Sequence, residues 1–135
     1  MHGSSASVKA QIQELNKYPG IKNIHTAEHD GLENPYGQSI AHIVSNLVKA
    51  KGYTQIVAAT SGFGKDIIPR VGGLLDLQAI TDVVEIHDQG TKFVRPIYAG
   101  NAMCKVSTSD KIKLLTVRGT NFEKVGQSGS NNYPV

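Results

Sequence analysis

The segment that most constrains the fold is the run QIVAATSGFG at residues 55–64. QIVAA is short, apolar after its first residue and contains β-branched side chains, which is typical of a strand buried on both faces of a parallel sheet. The glycine loop and the apolar run DIIPRVGGLL after it predict a turn into a helix, with Pro69 near the helix start, where a missing N–H is tolerated. Strand, loop and helix in this order predict an α/β fold.

The residues before this segment predict two more helices. Ser4, Ser5 and Ser7 precede VKAQIQEL, whose apolar residues recur at helical spacing, so these serines are candidate N-caps. IKNIHTA predicts a short strand and EHDGLENP a loop. Across residues 36–51 the apolar positions form one stripe, and Gly52 follows as the expected helix end.

The second half of the chain has a different pattern. Four strand-like runs, AITDVVEI, KFVRPIYA, AMCKVST and KIKLLTVRG, are separated by turns too short for a helix, and we expect the last three to form an antiparallel meander. Because a parallel sheet of this kind normally begins with a strand and this chain opens on a helix, we expect an N-terminal truncation. We expect one domain over residues 4–123, and a linker or disordered tail over residues 124–135, which are rich in Gly, Ser and Asn.

Composition and charge argue against several partners. The net charge is only +3, and apolar residues interrupt the basic clusters, whereas nucleic-acid binding favours a dense basic stripe with aromatic neighbours. No apolar stretch approaches the roughly 20 residues that span a bilayer. We therefore expect neither nucleic acid nor a membrane as a partner. The single cysteine, Cys104, excludes an internal disulfide, and we interpret it as a small core residue.

The glycine loop is placed where a nucleotide-binding chain holds phosphate, at the start of a helix. Its residues depart from both standard patterns. A P-loop would need Gly at Ala59 and a hydroxyl residue at Asp66, and the dinucleotide pattern GxGxxG would need a glycine at Ile67. We interpret the loop as structural. The alternative is an adenine-nucleotide site, and its residues would be Ser61, Gly62, Gly64 and Lys65.

Few other residues predict chemistry. His25 and His29 lie four positions apart without a third defined ligand, so we expect no metal site. No nucleophile, base and acid occur in a catalytic arrangement, so we expect no enzyme activity. Four polar residues are not explained by strand or helix periodicity: Arg70, Arg95, Asn101 and Arg118.

The stretches ATSGFGKDIIPRVGGLLDLQAITDVVEI, KFVRPIYAGNAMCKV and KLLTVRGTNF, in this order, resemble the N-terminal domain of the electron transfer flavoprotein alpha subunit. The resemblance is close over residues 58–122 and looser over residues 7–52. It implies a three-layer Rossmann-like fold, similar to the adenine nucleotide alpha hydrolases, with an added antiparallel meander. It also implies that the family's opening strand, helix and strand are missing here, which leaves a sheet edge open to self-association.

The resemblance further implies a role in electron transport. In that family the alpha subunit forms a heterodimer with a beta subunit and carries electrons from acyl-CoA and other flavin dehydrogenases of fatty acid β-oxidation to a quinone oxidoreductase. FAD is bound chiefly by a separate C-terminal domain, so we expect this chain to lack it. We expect the present domain to be a scaffold and a beta-subunit interface, with Arg70, Arg95, Asn101 and Arg118 as interface candidates. The expected location is the mitochondrial matrix in a eukaryote and the cytoplasm in a bacterium.

Overall fold

A computed structural model describes residues 2–3, 5–32, 36–127 and 133–134, which form two compact units. The smaller unit combines residues 1–36 with 123–135, and the larger spans residues 37–122. The smaller unit contains helix α1 (Ser5–Leu15), a 3-10 turn (Asp30–Leu32) and two short parallel strands, β1 (His2–Gly3) and β2 (Ala27–Glu28). The backbone N–H of Ile24 donates to the carbonyl oxygen of Pro134 over 2.8 Å, so part of the C-terminal segment packs in this unit.

Two predictions for the smaller unit are wrong in detail. Helix α1 begins at Ser5, so Ser5 and Ser7 lie inside it rather than before it, and Ser4 falls outside the described residues. The strand predicted for IKNIHTA is reduced to its end: within the part of the chain that the structure describes, residues 21–26 have no ladder partner, whereas Ala27–Glu28 pairs with β1. A segment cannot form a strand without a neighbour to receive its backbone hydrogen bonds.

The larger unit begins with helix α2 (Gly37–Lys51), which ends at Gly52 as predicted, with a left-handed φ of 68°. Strand β3 (Gln55–Ala59) and helix α3 (Gly62–Leu75) follow. The remaining elements are strands: β4 (Ala79–Val83), β5 (Glu85–His87), β6 (Lys92–Ile97), β7 (Ala102–Ser107) and β8 (Lys113–Val117). Helix α3 includes Pro69 in its interior, which corrects the expected position near its start.

The strands of the larger unit form two sheets. Strands β3, β8 and β4 pair in that order and are all parallel, and β5, β6 and β7 form an antiparallel sheet. Helix α3 contacts the parallel sheet on the face to which Leu114 points, because the Leu114 side chain lies near Gly72 of that helix. Leu115 points to the other face and packs with Phe93 of β6. Within the larger unit, helices α2 and α3, the parallel sheet and the antiparallel sheet therefore form the layers of an α/β fold, as predicted.

The position of β8 corrects the predicted meander. KLLTV leaves the antiparallel sheet and inserts between β3 and β4. The run is buried on both faces at Leu114, Leu115 and Thr116, which suits the centre of a parallel sheet rather than the edge of a meander. The run AITDVVEI, predicted as one strand, is divided between the two sheets at Val84.

Strand β3 lies at an edge of the parallel sheet, which corrects its predicted burial on both faces. Its residues alternate between exposed and half-buried, and Val57 is 53% exposed. Among the strands of the described residues, β3 pairs only with β8. Its other edge therefore presents unpaired backbone groups.

Candidate functional site

The candidate site lies where the three parallel strands end. Parallel strands of one sheet have their carboxyl ends at the same edge, which is where α/β proteins place their ligands. The backbone N–H of Thr60, after β3, donates to the carbonyl oxygen of Val117 over 2.7 Å, and that of Arg118, after β8, donates to Val83 over 2.8 Å. These bonds bring the loops that follow the strands together.

Thr116 anchors the centre of this edge. It is fully buried in β8, and its hydroxyl oxygen accepts a hydrogen bond from the backbone N–H of Asp82 over 2.8 Å. The hydroxyl of Thr60 lies 3.2 Å from the same oxygen. Asp82 has a left-handed φ of 62°, and the ladder between β4 and β8 shifts register between Ile80 and Val83. The threonine therefore stabilises an irregular backbone that carries the acidic side chain at this edge.

Asp82 and Arg118 form a bidentate ion pair. The Nε atom of Arg118 donates to Oδ1 over 3.0 Å and Nη2 donates to Oδ2 over 2.5 Å. These hydrogen bonds lower the pKa of Asp82; its partial burial opposes them, and the positive charges of Lys65 and Arg95 lower that pKa further. The same pair raises the pKa of Arg118. Asp82 is therefore a carboxylate at neutral pH, surrounded by cations.

Arg95 reaches this edge from the antiparallel sheet. Its Nη2 donates to the hydroxyl oxygen of Thr81 over 3.0 Å. Its Nε is buried and has no hydrogen-bond acceptor among the described residues. Buried donors of this kind normally have a partner, so a group outside the described residues is a natural candidate for the missing acceptor.

A groove of about 630 Å³ joins these side chains. Its lining residues are Asp82, Arg95, Pro96, Ile97, Tyr98, Ala99, Gly100 and Arg118.

One wall of the groove is a turn with unusual backbone. Tyr98, Ala99 and Gly100 have φ values of 50°, 54° and 91°. The side-chain amide of Asn101 donates to the carbonyl oxygen of Tyr98 over 2.9 Å, which holds the turn. Left-handed backbone at residues other than glycine is costly and accumulates at functional sites. The Tyr98 side chain on this turn is 78% exposed.

The glycine loop has structural roles at the same edge. Ser61 is the N-cap of α3, and its hydroxyl accepts the backbone N–H of Gly64 over 3.1 Å. Gly64 is buried against the end of β3, whereas Gly62 and Lys65 are exposed. Lys65 nevertheless lies close enough to Asp82 to lower its pKa.

Three of the four polar residues singled out from the sequence meet at the groove. Arg95 and Arg118 line it, and Asn101 holds its wall. Arg70 lies elsewhere, on α3, where it pairs with Asp66 over 2.8 Å. It lines a second groove of about 330 Å³ together with Gln38, Ala41, His42, Gly73 and Leu74.

Sequence reasoning missed four residues of this site: Thr81, Asp82, Tyr98 and Thr116. Thr81 and Asp82 had a signal, since two adjacent polar residues interrupt the apolar run AITDVV. Thr116 had none, because a threonine in a β-rich run is also ordinary for a strand. Tyr98 gave no signal either, because it follows an apolar run and is interpreted as the continuation of that strand.

The described residues contain neither a metal centre nor a membrane-spanning helix. Within them, no three His, Cys, Asp or Glu side chains form a group that could hold a metal ion. His29 accepts the backbone N–H of Gly31 over 3.0 Å, and His87 lies 2.8 Å from Glu85. Over the same part of the chain no helix is long and apolar enough to cross a bilayer.

Comparison with known proteins gives one family. The sequence model of one protein family, the electron transfer flavoprotein domain, matches residues 1–135 of this chain. A probable electron transfer flavoprotein subunit alpha, mitochondrial, of Caenorhabditis elegans is 37% identical over 127 residues, which cover 94% of this chain and 38% of that protein. The electron transfer flavoprotein subunit alpha, mitochondrial, of Arabidopsis thaliana is 39% identical over 122 residues, which cover 89% of this chain and 33% of that protein. The chain therefore spans between 33% and 38% of the length of these two relatives.

Proposed function

Because the chain belongs to the electron transfer flavoprotein domain family, we propose that it is part of an alpha subunit that carries electrons from flavin dehydrogenases, acyl-CoA dehydrogenases among them, to a quinone oxidoreductase. The observation that carries this proposal is the family match over all 135 residues, with alpha subunits as relatives. The domain itself acts as scaffold and beta-subunit interface rather than as an enzyme. In a eukaryote it works in the mitochondrial matrix, in fatty acid β-oxidation, and in a bacterium in the cytoplasm.

The strand-end edge supports an interface role. Arginine and tyrosine are enriched in the central contacts of protein interfaces, because they combine a large contact area with directional hydrogen bonds. Arg95 and Arg118 line the groove, and the Tyr98 ring stands exposed beside them. Met103 of β7 is also 55% exposed, which adds an apolar side chain to the antiparallel sheet. Arg70 remains an interface candidate at the second groove.

The residues of this chain fit FAD poorly. The N–H of Gly64, at the start of α3, already donates to Ser61, and the arginine groove contains the carboxylate of Asp82. A pyrophosphate carries two negative charges and requires free N–H donors at such a position. We propose that FAD, which supplies the redox chemistry in the heterodimer, is held outside this chain. The contribution of this chain is to keep its partner in a fixed position.

Two measurements test the proposal. The purified chain is mixed with an electron transfer flavoprotein beta subunit and titrated by calorimetry, and we expect a saturable complex. The chain alone is examined for flavin absorbance, and we expect none. Lack of binding at concentrations of about 100 µM, far above typical specific affinities, would contradict the interface role. Release of stoichiometric FAD on denaturation would contradict the placement of the flavin.

A further inference from the structure

The groove at the strand ends has one positive charge that no residue of the groove balances. Among the residues that line the groove, Arg95 and Arg118 contribute two cations and Asp82 one anion, which leaves a net charge of +1, and the exposed Lys65 adds a positive charge near Asp82. The bidentate pair fixes the Asp82 carboxylate on Arg118, over 3.0 and 2.5 Å. Among the described residues, the hydrogen-bond partner of the Arg95 guanidinium is the neutral hydroxyl of Thr81, so the charge of Arg95 is available to a ligand.

The net charge favours a monoanion. A planar guanidinium pairs with a carboxylate through parallel N–H bonds, and one such pair neutralises one charge. A phosphate carries closer to two charges and would bring an excess negative charge beside Asp82, at an energetic cost.

The shape of the groove favours a group presented by a protein. Its rim is formed by Tyr98, Ala99 and Gly100, all of which are exposed, so a small molecule at this position would remain largely in contact with water. Sites for small molecules usually bury most of the ligand surface. A side chain that projects from a second protein is already held in place, and the exposed Tyr98 ring offers a surface for the residues around it.

We propose that the groove lined by Asp82, Arg95, Tyr98 and Arg118 binds a carboxylate side chain, Asp or Glu, that projects from the surface of the beta subunit. This inference rests on the proposed function and adds to it the chemistry of one contact. Arg95 supplies the hydrogen bonds to the carboxylate. Arg118, held by Asp82, and the left-handed turn at residues 98–100 shape the groove around it.

The sharpest test compares an acid and its amide at the rim. Aspartate and asparagine both tolerate the left-handed backbone of Tyr98 and have the same size. The Tyr98→Asp variant places a negative charge where the partner's carboxylate is expected, and Tyr98→Asn removes the ring without that charge. We expect Tyr98→Asp to bind the beta subunit about tenfold more weakly than Tyr98→Asn at low salt, with the difference reduced at high salt. Equal affinities of the two variants would overturn the proposal.

A second test removes the charge of Arg95. We expect Arg95→Gln to weaken binding by about ten- to a hundredfold, and Arg95→Lys to restore part of the loss, since lysine keeps the charge but not the planar fork. Lys92→Gln is the matched control, because it removes one charge from the other end of the same strand, where Lys92 pairs with Asp88. Thermal unfolding verifies that each variant is folded. A folded Arg95→Gln variant that binds the beta subunit with the same affinity as Lys92→Gln would overturn the proposal. If Arg95→Gln does not fold, the comparison of Tyr98→Asp with Tyr98→Asn decides whether the proposal holds.

The outcomes separate this inference from the function on which it rests. If the wild-type chain does not bind the beta subunit, the interface role fails. If it binds with an affinity that is independent of Arg95 and of charge at position 98, only the carboxylate contact fails. A third experiment adds inorganic phosphate or AMP to the complex of the wild-type chain with the beta subunit. Micromolar displacement of the beta subunit that disappears in Arg95→Gln would identify a phosphate site and overturn the carboxylate assignment.

Discussion

Gly64 of helix α3 lies so close to the carbonyl oxygen of Ala59, at the end of strand β3, that a Cβ at this position would overlap that oxygen. The contact allows the helix to start directly after the strand, at the edge where the candidate site lies. The glycine is required for this close approach and not for its backbone angle, since its φ is not positive.

The first prediction concerns this contact. Gly64→Ala should lower the free energy of unfolding by about 1–3 kcal/mol, because neither the strand nor the helix can move away without disturbing the core. Gly62→Ala is the control two residues away, where an added Cβ meets no atom within 4 Å and alanine should be neutral or slightly stabilising. Urea denaturation of both variants measures the difference. Equal effects at the two positions would show that the close approach is not what selects glycine.

The second prediction concerns the pH dependence of the Asp82 to Arg118 pair. Because hydrogen bonds from Arg118 lower the pKa of Asp82 in the folded state, the pair stabilises the fold above the ordinary carboxyl pKa of about 4 and loses this effect as the pH falls through the folded-state value. Asp82→Asn keeps a residue that tolerates the left-handed backbone. It should lower the free energy of unfolding by about 1 kcal/mol at pH 7, and the difference should shrink below pH ~4.

Asp88→Asn is a suitable control for that measurement. Asp88 also has a left-handed φ, of 50°, and pairs with Lys92 over 2.7 Å, but this pair is more exposed. Asp88→Asn should lower the free energy of unfolding at pH 7 by less than Asp82→Asn does, because solvent screens an exposed pair. A difference between wild type and Asp82→Asn that stays constant from pH 7 to pH 3 would contradict the role given to the ion pair.

The third prediction concerns the open edge of the parallel sheet. Strand β3 presents unpaired backbone groups next to the exposed Val57, and such edges associate with one another. The chain should therefore self-associate as its concentration rises, and Val57→Lys should suppress this. Val125→Lys is the control, since Val125 is 62% exposed but lies outside every strand of the described residues. Sedimentation velocity over a wide concentration range is the measurement, and a strictly monomeric wild-type profile would count against the prediction.

The fourth prediction concerns the glycine loop. If the loop is structural, the chain should bind ATP, ADP and AMP no better than millimolar, and Lys65→Ala should change the free energy of unfolding by less than about 0.5 kcal/mol, because Lys65 is exposed. Calorimetry and urea denaturation measure these two quantities. Micromolar binding of an adenine nucleotide that Lys65→Ala abolishes would instead support the alternative function, a nucleotide site at Ser61, Gly62, Gly64 and Lys65.

The amino-acid sequence determined the local structure of residues 37–75, the first part of the larger unit. The apolar stripe and Gly52 fixed the second helix, because a continuous apolar face and a glycine stop act within a few residues. The short run QIVAA and the loop after it fixed a strand that turns into a helix, since Ser61 caps that helix from the residue immediately before it. Each of these features depends on neighbours in the chain.

The tertiary structure alone decided where strand β8 lies and which polar residues meet. KLLTV is apolar enough for either sheet, and its place between β3 and β4 follows from having a packing partner on each face, Gly72 on one side and Phe93 on the other. That placement brings Arg118 to Asp82, which is 36 residues away in sequence. Pairing over such separations depends on how the sheets pack, and residue spacing carries no signal for it. The candidate site is therefore a product of packing.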